Sequence, residues 1–177
     1  MTVYKERIKL QSHGGRPTYL DITPQVKEAI ANSGIQEGVV FVISPHTTCS
    51  VFFEEYVHDL NKEGDEFLQE DLNNVLGKII PDQTSLDTYV YPGEEHYVAV
   101  EAWPNAADYL PDGDRSALWN GDAHLKATMI GSSATLDVSE GKLGVGSTGY
   151  IYFVDFDRAI GAKDGRERKC IITVMGE

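Results

Sequence analysis

The residue pattern predicts an α+β fold, a mostly antiparallel curled sheet or β-sandwich with a few helices. Three observations lead there. Strand-type segments outnumber helical ones by about three to one, and the helical segments stand singly between groups of strands. The chain after residue 131 also reads as strand throughout. With 177 residues the chain is long enough to bury one sizeable core, so residues 1–177 are read as a single domain.

Residues 2–10 alternate, with Val3, Ile8 and Leu10 among polar neighbours, and read as a half-buried strand. Residues 17–22 read as a second strand, joined to the first in a hairpin through Ser12-His13-Gly14-Gly15. Thr23-Pro24 starts a helix, the hydroxyl as cap and proline at the first helical position. Val26, Ala29 and Ile30 form its apolar face and Gly34 ends it. The β-branched run 38–44 reads as a strand covered on both faces that delivers Pro45-His46 at its end, and residues 50–54 as another strand.

From 61 to 80 the period turns helical, with Phe67, Leu68, Leu72, Val75, Leu76 and Ile79 in phase and Pro81 as the stop, which places Asp65 and Asp71 on that helix. Residues 95–102 read as a strand and 103–119, rich in Pro, Asp, Asn and Gly, as a long ordered loop. A helix over 121–130 follows. Asn120 is its expected N-cap, Asp122 its first-turn acid, Leu125 and Met129 its apolar stripe, and Gly131 its left-handed stop. Strands over 133–138, 142–146, 150–157 and 168–175 complete the chain, with a polar loop over 161–165.

Composition narrows the function classes. Lys and Arg number 15 against 28 acids, a formal net charge of −13, which disfavours a nucleic-acid backbone or an anionic membrane surface as partner. No apolar run approaches the roughly 20 residues of a bilayer span, and residues 1–10 lack the uninterrupted apolar core of a signal peptide. A cytoplasmic protein is expected. Cys49 and Cys170 fit a reducing compartment better than a disulfide framework.

The chemistry-bearing residues are few. His46 follows a strand in a loop with the hydroxyls of Ser44, Thr47 and Thr48, where a histidine can serve as general acid or base or as a metal ligand. His124 shares the later helix with Asp122, two residues away and pointing elsewhere. Asp155 and Asp157 alternate with Phe156 and should emerge on one face, where convergent carboxylates bind a divalent cation or have raised pKa values. Gly144-x-Gly146-x-x-Gly149 lies inside strands and is no dinucleotide fingerprint. A phosphate loop and a nucleophile elbow are both lacking. Cys170 reads as core packing.

Taken in order, His46-Thr47-Thr48-x-Ser50-Val51, the Asp65 and Asp71 segment ending at Pro81, Asn120-Gly121-Asp122-Ala123-His124-Leu125 with Gly131-Ser132, Gly141 to Gly146, and Arg168 with the closing Gly176-Glu177 resemble the YjbQ (UPF0047) family from Val3 to Glu177. The resemblance implies an α+β fold of β-sandwich type, a homotrimer, and a weak, secondary thiamine-phosphate synthase activity of unsettled physiological role. It matches His46, Glu55, Asp65, Asp71, Asp122, His124 and Arg168 to the family's histidines, acids and final arginine. The chain departs from the family where Glu54-Glu55 replaces Asn-Glu, where Ser147-Thr148-Gly149 replaces Thr-Trp-Gln, and where residues 91–120 run longer.

The expected site therefore has His46, His124, Asp122 and Glu55 as catalytic residues and Arg168, Asp65 and Asn120 as ligand-binding residues. His46 and His124 are also candidate ligands of a divalent metal, zinc or magnesium. Spacing does not choose between a metal and an acid-base pair. The expected partners are a small-molecule ligand and two further copies of the chain. The rival reading is a non-catalytic trimer that binds a small molecule or metal in the same cleft.

Overall fold

Residue parity sorts the strands into two sheets. The computed structural model describes residues 1–160 and 165–177 and has the expected α+β class. One antiparallel sheet contains β1 (Thr2–Gln11), β8 (Glu167–Gly176), β3 (Gly38–Ile43), β5 (Ser133–Ser139) and the short β6 (Lys142–Leu143), in that spatial order. The second contains β2 (Thr18–Asp21), β7 (Gly149–Asp155) and β4 (Cys49–Glu55), with β7 central. The main core lies between them: Val40, Val42, Cys170, Ile172 and Val174 from the larger sheet meet Val51, Ile151 and Phe153 from the smaller, and α1 (Thr23–Ser33) adds Val26, Ala29 and Ile30.

β7 is the strand buried on both faces. Ile151 and Phe153 enter the main core, whereas Val154 and the following Phe156 enter a second one with Leu76 of α2 (Phe67–Ile79) and Ala123 and Ala127 of α4 (Gly121–Ile130). Period 2 in the strand thus supplies two layers at once. A third, satellite core belongs to residues 91–120. In it Tyr97 and Val100 of α3 (Glu94–Glu101) pack with Leu110 and Leu118 from the short 3₁₀ turns that follow. Arg115 fastens that unit by pairing with Glu94 and Glu101 at 3.0 and 2.7 Å and lying over the Tyr97 ring.

Several expectations are corrected. β1 and β2 form no hairpin: β1 pairs with β8 and β2 with β7, so the Ser12 to Gly15 turn carries the chain from one sheet to the other. In β1 the core-facing residues are Tyr4, Ile8 and Leu10, while Val3, of opposite parity, is exposed. β3 is buried only through Val40 and Val42; its other face is half-buried. Thr23 does not cap α1. Its amide donates to Asp21 and its hydroxyl accepts from Ile151 N–H.

The second helix begins at Phe67, not at 61. Asn61 Oδ1 accepts the amides of Glu63 and Asp65 in a local loop, and a reciprocal capping box between Glu66 and Gln69 starts the helix beyond it. Asp65 therefore precedes the helix. Residues 94–101 are helical where a strand was expected, because Tyr97 and Val100 are buried one turn apart and Val98 between them is exposed. The strand expected over 142–146 is reduced to β6. The polar loop expected over 161–165 lies, apart from Gly165, outside the described residues.

α4 has the expected bounds but the opposite orientation. Leu125 and Met129 face outward, 46% and 59% exposed, while Asp122 and Lys126 are buried. The inversion is stable because those charges satisfy one another. Lys126 Nζ lies 3.1 Å from Asp122 and 2.7 Å from Asp82, and Arg158 lies 3.3 Å from Asp122. Gly131 closes the helix at φ 99°, ψ 153°, an extended conformation reserved for glycine rather than the left-handed helical one. Phe153, fully buried at the junction of the sheets, sets the scale of core stabilisation: Phe153→Ala is expected to lower the unfolding free energy by about 3 to 5 kcal/mol in urea titration.

Candidate active site

At one end of the sandwich β8 and β7 bring two arginines against two aspartates. Arg168 donates through Nε to Asp155 at 2.7 Å and through a terminal nitrogen to Asp155, Thr48 and Asp157 at 3.1, 3.2 and 3.4 Å. Arg166 Nε stands 3.2 Å from Asp157. Both aspartates are buried, so each carboxylate is retained by its guanidinium. Asp155 and Asp157 do emerge together as read from their alternation, and the cations they hold are arginines. The thiol of Cys49 points to Asp155 at 3.3 Å, and burial pushes its pKa up.

Above this cluster lies a cavity of about 350 Å³. One wall is the loop after β3, with His46, Thr47 and Thr48. The floor is Asp157, Arg166 and Arg168, and Asn120 and His124 enter from α4. Residues 91–120 make the remaining wall with Tyr91, His96, Trp103 and Tyr109. Tyr109 receives the Arg166 guanidinium over its ring and stacks edge-on with Trp103. His46, His124, Arg168 and Asn120, named from the sequence, thus share one cavity.

The two imidazoles are held in different surroundings. His46 Nε2 accepts the Lys169 amide at 2.8 Å, so in the neutral ring the proton sits on Nδ1. Burial, then the neighbouring Arg168, lowers its pKa. For His124 burial is the largest influence and lowers its pKa, against the opposing pull of Asp157 and the Thr47 backbone. At neutral pH both imidazoles are therefore neutral, with the His46 proton on Nδ1.

The other expected residues sit elsewhere. Asp122 does not wall the cavity; it is the buried anchor of α4 between Lys126 and Arg158. Glu55 is exposed at the end of β4, and Asp65 is ion-paired to Arg16 in the loop before α2. Lys142 lies at a different surface hollow, whereas Arg166 lines the cavity. Asn120 makes no side-chain cap to α4. Its Oδ1 is buried and without a hydrogen-bond partner among the described residues.

His46 Nε2 is already committed to the Lys169 amide, and among the described residues no three His, Cys, Asp or Glu side chains are grouped to hold a metal ion.

Comparison with known proteins identifies the family over nearly the whole chain. The family described as UPF0047 protein YjbQ-like matches residues 6–177. The chain belongs to the YjbQ-like UPF0047 family. A UPF0047 protein of Archaeoglobus fulgidus is 30% identical over 142 residues, covering 80% of this chain and 83% of that one. One from Methanocaldococcus jannaschii is 24% identical over 175 residues, covering 99% and 95%. A YbjQ-like protein of unknown function from Sulfolobus solfataricus superposes with a TM-score of 0.69 at 22% identity, over 99% of each chain. A yjbq/upf0047 protein from Clostridium acetobutylicum gives 0.66 at 25% identity, over 96% of this chain and 99% of that one.

In this YjbQ-like chain the sequence reading passed over His96, Tyr91, Trp103 and Tyr109, all in residues 91–120. The signal available was the density of aromatic residues and the Glu94-Glu95-His96-Tyr97 run in a segment too long for a bare loop. Titration of the imidazole resonances by NMR is expected to put both His46 and His124 below the ordinary histidine value of about 6.5. A buried neutral imidazole takes up its proton only after the unfolded chain has taken up its own. This contribution to stability is therefore whole above about pH 6.5 and is lost as pH falls through the lower folded values. Replacing His124 by Gln should flatten that part of the stability profile.

Proposed function

We propose that this chain is an enzyme of the YjbQ type that acts on a small phosphorylated metabolite in the cavity between His46 and His124. The observation that carries the reading is that two neutral imidazoles and two arginines wall one cavity: His46 donates through Nδ1–H to the charge that develops on the departing diphosphate, and His124 orients the substrate ring by a hydrogen bond. Arg166 and Arg168 are the cations available to a phosphate. Each is shared with Asp157 or Asp155, so phosphate is held weakly. That suits a weak, secondary activity of the thiamine-phosphate synthase kind. In that reaction the thiazole nitrogen attacks the methylene carbon of the pyrimidine diphosphate, the C–N bond forms, the C–O bond breaks, and diphosphate leaves with the bonding pair.

The cavity wall suits ring-bearing substrates, since Tyr91, Trp103 and Tyr109 present aromatic surface beside the arginines. A cytoplasmic setting fits two unpaired thiols, of which Cys170 is pushed by burial up to about 12 and is inert. No helix among the described residues is long and apolar enough to cross a membrane.

With the pyrimidine diphosphate and thiazole phosphate as substrates, His124→Gln is expected to lower product formation by about tenfold or more while leaving phosphate affinity within about twofold. Turnover unaffected by that change would sink the assignment. Ligand affinity in the unaltered protein, with no turnover in any variant, would support a non-catalytic binding role for the same cavity.

The outward faces of α2 and α4 are read as the contact of a homotrimer. Val75, Ile79, Leu125 and Met129 are 46 to 59% exposed on two helices that share one core beneath, and an apolar band of this kind marks an association surface. Light scattering coupled to size-exclusion chromatography should return three chain masses for the native protein. The Leu125→Lys, Met129→Lys double variant should return a smaller mass with its fold retained; a native protein of one chain mass would remove the proposal.

A further inference from the structure

The Gln83 side chain is fully buried, although the segment around it is a loop on the protein's rim. Both ends of its amide are used. Oε1 accepts the Gly121 amide at 2.8 Å, at the first residue of α4, and Nε2 donates to the Tyr91 carbonyl at 2.6 Å. Its own backbone is held as well: the Gln83 amide donates to Asp122 at 3.3 Å, and its carbonyl accepts from Arg158 at 3.0 Å. A buried amide with every group satisfied is a rigid spacer, because removing one partner leaves another polar group unpaired away from water.

What it spaces is chemically pointed. Gly121 opens the helix that carries His124 one turn later. The Tyr91 ring meets His124 edge-on, with centroids 5.5 Å apart, and its hydroxyl is 3.1 Å from His96 Nε2. Gln83 thus stands at the only junction, among the described residues, where a single side chain bonds both the start of α4 and the irregular segment bearing Tyr91. The groups that face His124 from the packed elements are Thr47, Asp157, His96 and Asp122. Two of them, His96 through Tyr91 and Asp122 through the backbone amide, are tied to Gln83.

We infer that Gln83 is a positioning residue of the site: its buried amide sets the spacing between α4 and Tyr91, and so the orientation of His124 and His96 in the cavity. The inference rests on the reading of these histidines as the working groups, but it is tested by a measurement that requires no turnover. Gln83→Leu removes both hydrogen bonds at similar size. Tyr91 is then free to leave the His124 edge, water reaches the imidazole, and its titration midpoint moves up toward the ordinary value. His46, held from the other wall by Lys169, keeps its own.

Gly121→Ala approaches the same junction from the opposite side. A Cβ there meets Gln83 Oε1 at 3.0 Å and the Tyr91 ring at 3.2 Å, at a position whose backbone suits alanine in a helix. It provides the test if Gln83→Leu fails to fold.

The experiment is an NMR titration of the imidazole resonances in the native protein, Gln83→Leu and Gly121→Ala, with contacts between the Tyr91 and His124 rings read in the same samples. Expected in each folded variant is a His124 midpoint raised by about half a pH unit or more, a weakened Tyr91 to His124 contact, and an unmoved His46. A folded variant with both features native, or one in which His46 moves as far as His124, overturns the inference, since the first denies any positioning and the second describes general loosening. Failure of the turnover test with His124→Gln would instead count against the proposed enzyme and leave this outcome unaffected.

Discussion

The ion cluster of Arg168, Asp155, Asp157 and Arg166 is the interaction on which the working end of the molecule depends. β8 and β7 belong to different sheets, and the bidentate Arg168 to Asp155 contact joins them where the sandwich opens. Removing either partner would strand a buried charge, at a cost of about 3 to 5 kcal/mol. The same guanidiniums form the cavity floor, so the arrangement that closes the sandwich also supplies positive surface there. The aspartates restrain that surface, so the cavity is polar without being strongly cationic, while burial keeps His46 and His124 neutral.

β7 shows how a single strand organises the layers. Because its alternate residues enter separate cores, the face turned away from the main core becomes the bed on which α2 and α4 rest. His124 is then presented from a helix whose inner face is anchored by Asp122, Lys126 and Arg158 instead of by leucines. The anchoring charges explain why the apolar residues of α4 are left outside. They also separate two residues expected in one catalytic set: Asp122 fixes the helix, and His124 lines the cavity.

Much of this was legible in the sequence where local chemistry decides structure. The α4 bounds, the strands from Ser133 onward, the Gly34 stop and the convergence of Asp155 with Asp157 follow from period, caps and parity. The partner of β1 was not legible, because a turn sequence does not say whether the next strand stays in the same sheet. Residues 95–102 read as a strand from Tyr97, Val98 and Val100, yet burial at three-residue spacing decided for helix over Glu94–Glu101. Asp65 and Glu55 looked like site acids by type and order, and only the fold shows one bound to Arg16 and the other on the surface. The pairing of His46 with His124 was stated as a single expectation, whereas Gln83, His96 and Tyr91 had no motif to announce them.

The satellite core of Tyr97, Val100, Leu110 and Leu118 separates the molecule's tolerance to change into two compartments. Substitutions within it reshape one side of the ligand space while leaving the sandwich interior untouched. Remodelling this annex therefore reshapes the cavity at little risk to the folding of the scaffold that carries the histidines and arginines.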